Sequence, residues 1–240
     1  MIRTFFAIVR FWLYLIRYIP KHFEVLRLEK EGRIAERDEL VNQGVRTWAR
    51  YCVALAGATV EVHGEELIPP DTAVVFIGNH QGYFDIPLML GFINKPKAFI
   101  SKIEILKVPL LNDWMKHMQC TFLDRKDMRQ SIRAMAEAVE TVKKGYSLVI
   151  FPEGTRSKGK PVSEFKAGSF KLPFKAGVPI VPVTIDGSWR ILEEKGHFQK
   201  AHVRITVHPP IETANLDREQ QAAIPARVQE IVQKGLSNIS

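Results

Sequence analysis

Residues 79–85 read Asn-His-Gln-Gly-Tyr-Phe-Asp and place a histidine, His80, five positions before an aspartate, Asp85. A carboxylate on one imidazole nitrogen fixes the tautomer and leaves the other nitrogen free to act as a base. Five positions apart on an ideal helix, the two side chains would point away from each other. A turn through Gly82 would instead bring them together. The apolar run at 73–77, bounded by Pro69, Pro70 and Gly78, reads as a buried strand, and residues 86–94 read as a helix. The pair therefore falls where a strand passes into a helix, the edge of an α/β sheet at which ligands bind. A plainer reading makes Asp85 an N-cap, with Pro87 in the first turn, and His80 an ordinary loop residue. A carboxylate has lone pairs enough for both jobs.

Further stretches carry groups that could hold an anion. Lys102 follows the apolar Ala98, Phe99 and Ile100 and so leaves a strand end, either solvated or on the same edge as His80. Residues 121–125, Thr-Phe-Leu-Asp-Arg, deliver Arg125 at a strand tip, where it either pairs with Asp124 or Asp127 or holds a substrate anion. At 148–157 an apolar strand runs through Pro152 into Glu153, Gly154, Thr155 and Arg156. Gly154 permits a tight backbone there, and the planar fork of Arg156 suits a phosphate. Glu153 would repel a phosphate, so it is expected to orient Arg156 or a hydroxyl. From Arg156 to Lys175 there are six basic residues and one acidic one, Glu164. Pro182, in the apolar run at 177–183, predicts an edge strand or an irregular pocket wall.

The elements that must position these residues alternate. Strands are expected at 58–63, 72–77, 97–100, 120–124, 147–151, 179–185 and 202–208, and helices at 85–94, 108–118, 128–144 and 217–236. Within 128–144, Met128, Ile132, Met135, Ala138, Val139 and Val142 form one core-facing stripe. The spacing predicts an α/β fold with a mostly parallel sheet of about seven strands flanked by helices. Ahead of it, residues 1–19 form an apolar helix roughly 28 Å long, with Pro20 as its stop. Arg3, Arg10 and Arg17 recur every seven residues on one stripe, which favours a helix lying in one leaflet over a full span. Residues 21–50 are charged and helical, breaking near Gly32 or Gly44. The expected division is 1–50, N-terminal membrane-associated helices, and 51–240, an α/β domain.

The net charge of +8 and pI near 9.5 call for an anionic partner. No nucleic-acid signature is present, and the basic residues interleave with apolar segments, which favours an anionic membrane surface over nucleic acid. The seven histidines show no metal-ligand spacing, so no metal is expected. Cys52 and Cys120 sit in apolar contexts and read as buried free thiols in a reducing compartment.

Taken in order, these stretches resemble the glycerolipid acyltransferase family, specifically its bacterial 1-acylglycerol-3-phosphate acyltransferases. The family's Asn-His-x4-Asp motif is met by Asn79, His80 and Asp85, and Phe-hydrophobic-x-Arg by Phe122, Leu123, Asp124 and Arg125. Glu-Gly-Thr-Arg is met by Glu153, Gly154, Thr155 and Arg156, and Val-Pro-hydrophobic-x-Pro by residues 178–182. The likeness covers about residues 45–210, and the N-terminal helices resemble the family's membrane-seating pair. One departure is Gln119, where a glycine often begins the second motif, and it leaves the local backbone open.

The resemblance implies transfer of a fatty acyl group from acyl-CoA or acyl carrier protein to the sn-2 hydroxyl of lysophosphatidic acid, with no cofactor. His80 would be the general base and Asp85 its orienting partner. Arg125, Arg156 and Lys102 would hold the acceptor phosphate, within a substrate site that includes Phe122, Glu153, Gly154 and Thr155. Backbone amides at Gly154 or Thr155 would face the oxyanion. The location implied is the cytoplasmic face of the inner membrane, monotopic or peripheral. Two other readings are another lysolipid acceptor, such as a lyso-ornithine lipid or lysophospholipid, and a non-catalytic lipid-binding relative. A serine-lipase reading fails for want of a Gly-x-Ser-x-Gly elbow.

Overall fold

The computed structural model describes residues 2–237, with the side chains of residues 2, 3 and 237, and so that of Arg3, outside the described set. Three helices come first: α1 (Ile2–Ile16), α2 (Ile19–Lys30) and α3 (Ile34–Ala56). The first helix ends earlier than Pro20, which instead lies in the opening turn of α2, where a missing N–H leaves no bond unmade. Of the two glycines at which a break was expected, Gly32 provides it with a φ of +73°. Gly44 continues inside α3, where its missing Cβ admits the rings of Tyr18 and Trp114 and its carbonyl accepts from the Tyr18 hydroxyl at 2.9 Å. Helix α3 also runs unbroken across positions 50 and 51.

Seven strands follow: β1 (Thr59–His63), β2 (Val75–Gly78), β3 (Lys97–Lys102), β4 (Thr121–Leu123), β5 (Ser147–Ile150), β6 (Ile180–Asp186) and β7 (His202–Val207). They form one sheet in the order β1-β7-β6-β2-β5-β3-β4, parallel throughout except between β6 and β7. Helices α4 (Asp85–Phe92), α5 (Leu111–His117), α6 (Met128–Lys143), α7 (Lys171–Ala176) and α8 (Arg218–Ser237) cover both faces. The strand pleat explains the two cores. Phe76, Val149 and Val181 face α3 and α4, whereas Val75, Ile77 and Leu148 face α6, α7 and α8.

Two expectations about the core need correcting. Met128 and Ile132 are 74% and 63% exposed, while Ala138, Val139 and Val142 of the same helix are buried. The first turn of α6 is fastened to β4 by polar groups instead: Gln130 bridges Phe122 O at 2.9 Å and Asp124 N at 2.8 Å, and the Ser131 hydroxyl donates to Asp124 O at 2.7 Å. Pro182 lies in β6, an interior strand between β2 and β7. Its carbonyl accepts from His208 N, so the side lacking an N–H faces the chain leaving β7 at Pro209 and Pro210. There the antiparallel ladder has already ended, and no strand bond is lost.

Gln119 adopts a φ of +62°, the left-handed region that favours glycine. A glycine-type backbone is thus retained at this position with a side chain on it. The chains leaving β2, β3, β4, β5 and β6 all emerge from one edge of the sheet, because these strands are mutually parallel.

Candidate active site

The first motif is built on the end of β2. A Cβ on Gly78 would stand 2.6 Å from the carbonyl oxygen of Val183, so glycine lets β2 and β6 stay paired to the last residue. Beyond it the Asn79 side chain replaces a strand, donating to Ile185 O at 2.8 Å and accepting from Ile185 N at 2.9 Å. The chain then curls around one carboxylate. Oδ2 of the fully buried Asp85 accepts from His80 Nδ1 at 2.6 Å, Gln81 N at 2.7 Å and Gly82 N at 2.9 Å. Its Oδ1 accepts from the hydroxyl of Ser188, also fully buried.

These contacts bear on the expected N-cap. Helix α4 has no side-chain cap; the amides on Asp85 belong to the loop before it. A carboxylate can only accept, so Nδ1 of His80 carries the proton and Nε2 is the nitrogen left for chemistry. The imidazole lies flat on Phe151, with centroids 4.3 Å apart and planes at 10°, and remains partly exposed.

The third motif clamps this loop. Glu153 Oε1 accepts from His80 N at 2.7 Å and Oε2 from Ser163 N at 2.9 Å. Burial raises the Glu153 carboxyl above its usual range, and these two amides oppose that shift. Glu153 therefore orients backbone, and not Arg156 or a hydroxyl. Ser157 N and Lys158 N donate to the carbonyls of His80 and Gln81 at 2.7 and 3.0 Å. Gly154 takes a φ of +69°, and its amide donates to Phe151 O at 3.1 Å, so it is not available to an oxyanion. Thr155 is exposed, and its N–H has no hydrogen bond among the described residues.

Of the cations, Arg125 donates to Gly154 O at 3.0 Å, which ties the second motif to the third. Arg156 lies with its guanidinium carbon 3.5 Å from the centroid of Tyr83, and Nη1 is 3.4 Å from Glu193 Oε1. Lys102 ends β3 on the same sheet edge, exposed and without an ion pair among the described residues. Phe122 is the middle residue of β4, half-buried, paired in register with Ser101 and accepting from Gln130 at 2.9 Å through its carbonyl. Ser188 and Glu193 were missed by sequence reasoning. Ser188 stands 103 residues from Asp85, and Glu193 stands 110 from Tyr83 and 37 from Arg156, in a loop with no spacing pattern.

Beside the loop opens an apolar cavity of about 510 Å³, walled by residues of α1, α3, α4 and α5 and by Tyr83 and Phe84 of the first motif. Both cysteines line it, and burial pushes each thiol up to about 12, far from a thiolate nucleophile. Among the described residues no group of three His, Cys, Asp or Glu side chains is placed to hold a metal ion.

A buried carboxylate–imidazole pair thus stands at the strand edge, beside an apolar cavity and three cations. Residues 59–186, more than half of the chain, match the acyltransferase family model, and the chain belongs to that family. It is 29% identical to a 1-acyl-sn-glycerol-3-phosphate acyltransferase of Borreliella burgdorferi over 81% of this chain and 78% of that one. A chloroplastic protein of the same name from Brassica napus is 36% identical over 65% of this chain and 46% of its own length. The chain thus spans about half the length of the chloroplast relatives it matches. The crystal structure of the 1-acyl-sn-glycerophosphate acyltransferase PlsC from Thermotoga maritima superposes with a TM-score of 0.82 at 29% identity, covering 99% of this chain and 96% of that one.

Replacing Asp85 by alanine would strand the three donors on Oδ2. The expected loss is at least about 3 kcal/mol, since each buried unpaired group costs about 1–3 kcal/mol. Loss of a simple N-cap would cost only about 0.5–2 kcal/mol. Chemical denaturation in detergent distinguishes the two.

Proposed function

We propose that this chain transfers a fatty acyl group from a thioester, acyl-CoA or acyl carrier protein, to the sn-2 hydroxyl of lysophosphatidic acid, forming phosphatidic acid. The observation that carries the reading is the His80 imidazole, held through Nδ1 by a buried carboxylate with Nε2 left unbonded. The names of the relatives support the acceptor. In the reaction Nε2 takes the hydroxyl proton as the oxygen attacks the thioester carbon, and a C–O bond forms. The C–S bond then breaks, and the thiolate leaves with the proton returned from His80. Asp85 stabilises the imidazolium between these steps. The free Thr155 N–H is the donor we assign to the oxyanion, and the apolar cavity is where we seat the acyl chain.

Arg125, Arg156 and Lys102 share the sheet edge with His80, and we assign them the acceptor phosphate. Their charge-assisted hydrogen bonds favour a phosphate monoester over neutral acceptors.

The membrane reading rests on the N-terminal helices. No helix among the described residues is long and apolar enough to cross a membrane. Yet Phe5, Phe6, Leu13 and Ile16 of α1 and Phe23 of α2 are all more than half exposed. A surface of that size is expected to enter a lipid leaflet. Arg10 of α1 and Arg17, in the turn just past its end, are exposed and would sit among the phosphates. We place the protein on the cytoplasmic face of the inner membrane, attached to one leaflet.

Two measurements test this reading. His80→Ala is expected to lower turnover by about 10²–10⁴-fold, while Arg156→Ala is expected to lower kcat/KM for lysophosphatidic acid by about 10–100-fold. A panel of lysolipid acceptors with both thioester donors provides the assay. If a phosphate-free acceptor such as a lyso-ornithine lipid serves equally well, the acceptor assignment fails. For the membrane, Phe6→Asp combined with Leu13→Asp is expected to release the protein from anionic vesicles in a flotation assay without lowering its melting temperature. Undiminished flotation would contradict attachment through α1.

A further inference from the structure

Glu193 lies in the loop of residues 187–200 between β6 and β7, and its side chain is 4% exposed. Its Oε1 accepts from Tyr83 N at 2.7 Å and from Arg156 at 3.4 Å. Its Oε2 is buried with no hydrogen-bond partner. That oxygen packs against Gly82, where a Cβ would stand 2.6 Å from it, so glycine at this position admits the carboxylate. Burial raises the Glu193 carboxyl above its usual range.

A carboxylate buried with one oxygen unanswered lowers the stability of a fold. If Glu193 merely held its loop, a neutral glutamine would accept the Tyr83 amide equally well and be less costly to bury. What the carboxylate adds is a charged acceptor for a guanidinium. Arg156 is fixed on two sides, its face on the Tyr83 ring and one nitrogen on Glu193, and its side chain remains 25% exposed. The rest of its planar fork stays available for a bidentate contact.

We propose that Glu193 and Tyr83 form a cradle that presets Arg156, and that through this cradle the chain selects acceptors bearing a phosphate monoester. Glu193 is a positioning residue. The inference rests on the assignment of Arg156 to the acceptor phosphate made above. A free arginine loses much rotamer freedom when it grips a ligand, and the cradle removes that loss in advance. The opposing effect is charge dilution: a carboxylate on Arg156 weakens its pull on phosphate. If dilution dominated, neutralising Glu193 would lower KM, so the sign of the change is decisive.

The test is steady-state kinetics of the full chain on lysophosphatidic acid in mixed micelles, with melting temperatures taken in parallel. Glu193→Gln is expected to raise KM about fivefold, the scale of a weakened charge-assisted contact. Its kcat should stay within about twofold, and its melting temperature should hold or rise. Tyr83→Leu is expected to raise KM about threefold through the lost stacking. Adding Glu193→Gln to Arg156→Ala should cost nothing further, because the cradle acts only through that arginine. An unchanged or lower KM in Glu193→Gln, or effects of the two substitutions that multiply, would overturn the cradle while leaving Arg156 on the phosphate. An Arg156→Ala variant with unaltered KM would remove the phosphate assignment and the cradle together. Should Glu193→Gln not fold, Tyr83→Leu decides alone, since Tyr83 is 61% exposed, and an unchanged KM in that variant overturns the proposal.

Discussion

A single buried carboxylate organises the site. Asp85 takes four donors, from His80, Gln81, Gly82 and Ser188, at the point where β2 gives way to α4. Removing an ion from water costs several kcal/mol, and only a full set of well-placed donors offsets it. Any conformation of residues 80–82 that releases those donors leaves the charge unanswered. The loop shape, the tautomer of His80 and the free Nε2 therefore share one cause. Glu153 repeats the device at smaller scale, binding the His80 amide on one oxygen and the Ser163 amide on the other.

The loop of residues 187–200 joins the separate parts of the site. Ser188 reaches Asp85, Glu193 reaches Tyr83 and Arg156, and Leu192 and Phe198 help wall the apolar cavity. Phe198 N also donates to the Thr4 hydroxyl of α1 at 2.9 Å. One segment thus contacts the imidazole's partner, Arg156, the cavity and the first helix.

Much of this was legible in the sequence, for physical reasons. Apolar, β-branched runs bounded by glycine and proline mark buried parallel strands, and all seven lie where that pattern places them. His80 and Asp85 could be read as a pair because a five-residue turn is a local event. Where the sequence misled, a tertiary fact intervened. Periodicity cannot reveal that Gln130 and Ser131 fasten the first turn of α6 to β4 while Met128 and Ile132 stay exposed. Nor can composition reveal that the donorless side of Pro182 faces a ladder that has already ended. Ser188 and Glu193 were invisible because their partners reach them only through the pairing of β2 with β6 on one side and β5 on the other.

Asp85 holds His80 as the Nδ1–H tautomer and leaves Nε2 free. Nitrogen-15 NMR of the histidine-labelled protein in detergent reads this directly, with His80→Gln assigning the resonances. The bond to Asp85 requires a protonated Nδ1, its proton shifted downfield, and an unprotonated Nε2. A proton found on Nε2, with Nδ1 bare, would contradict the account at its root.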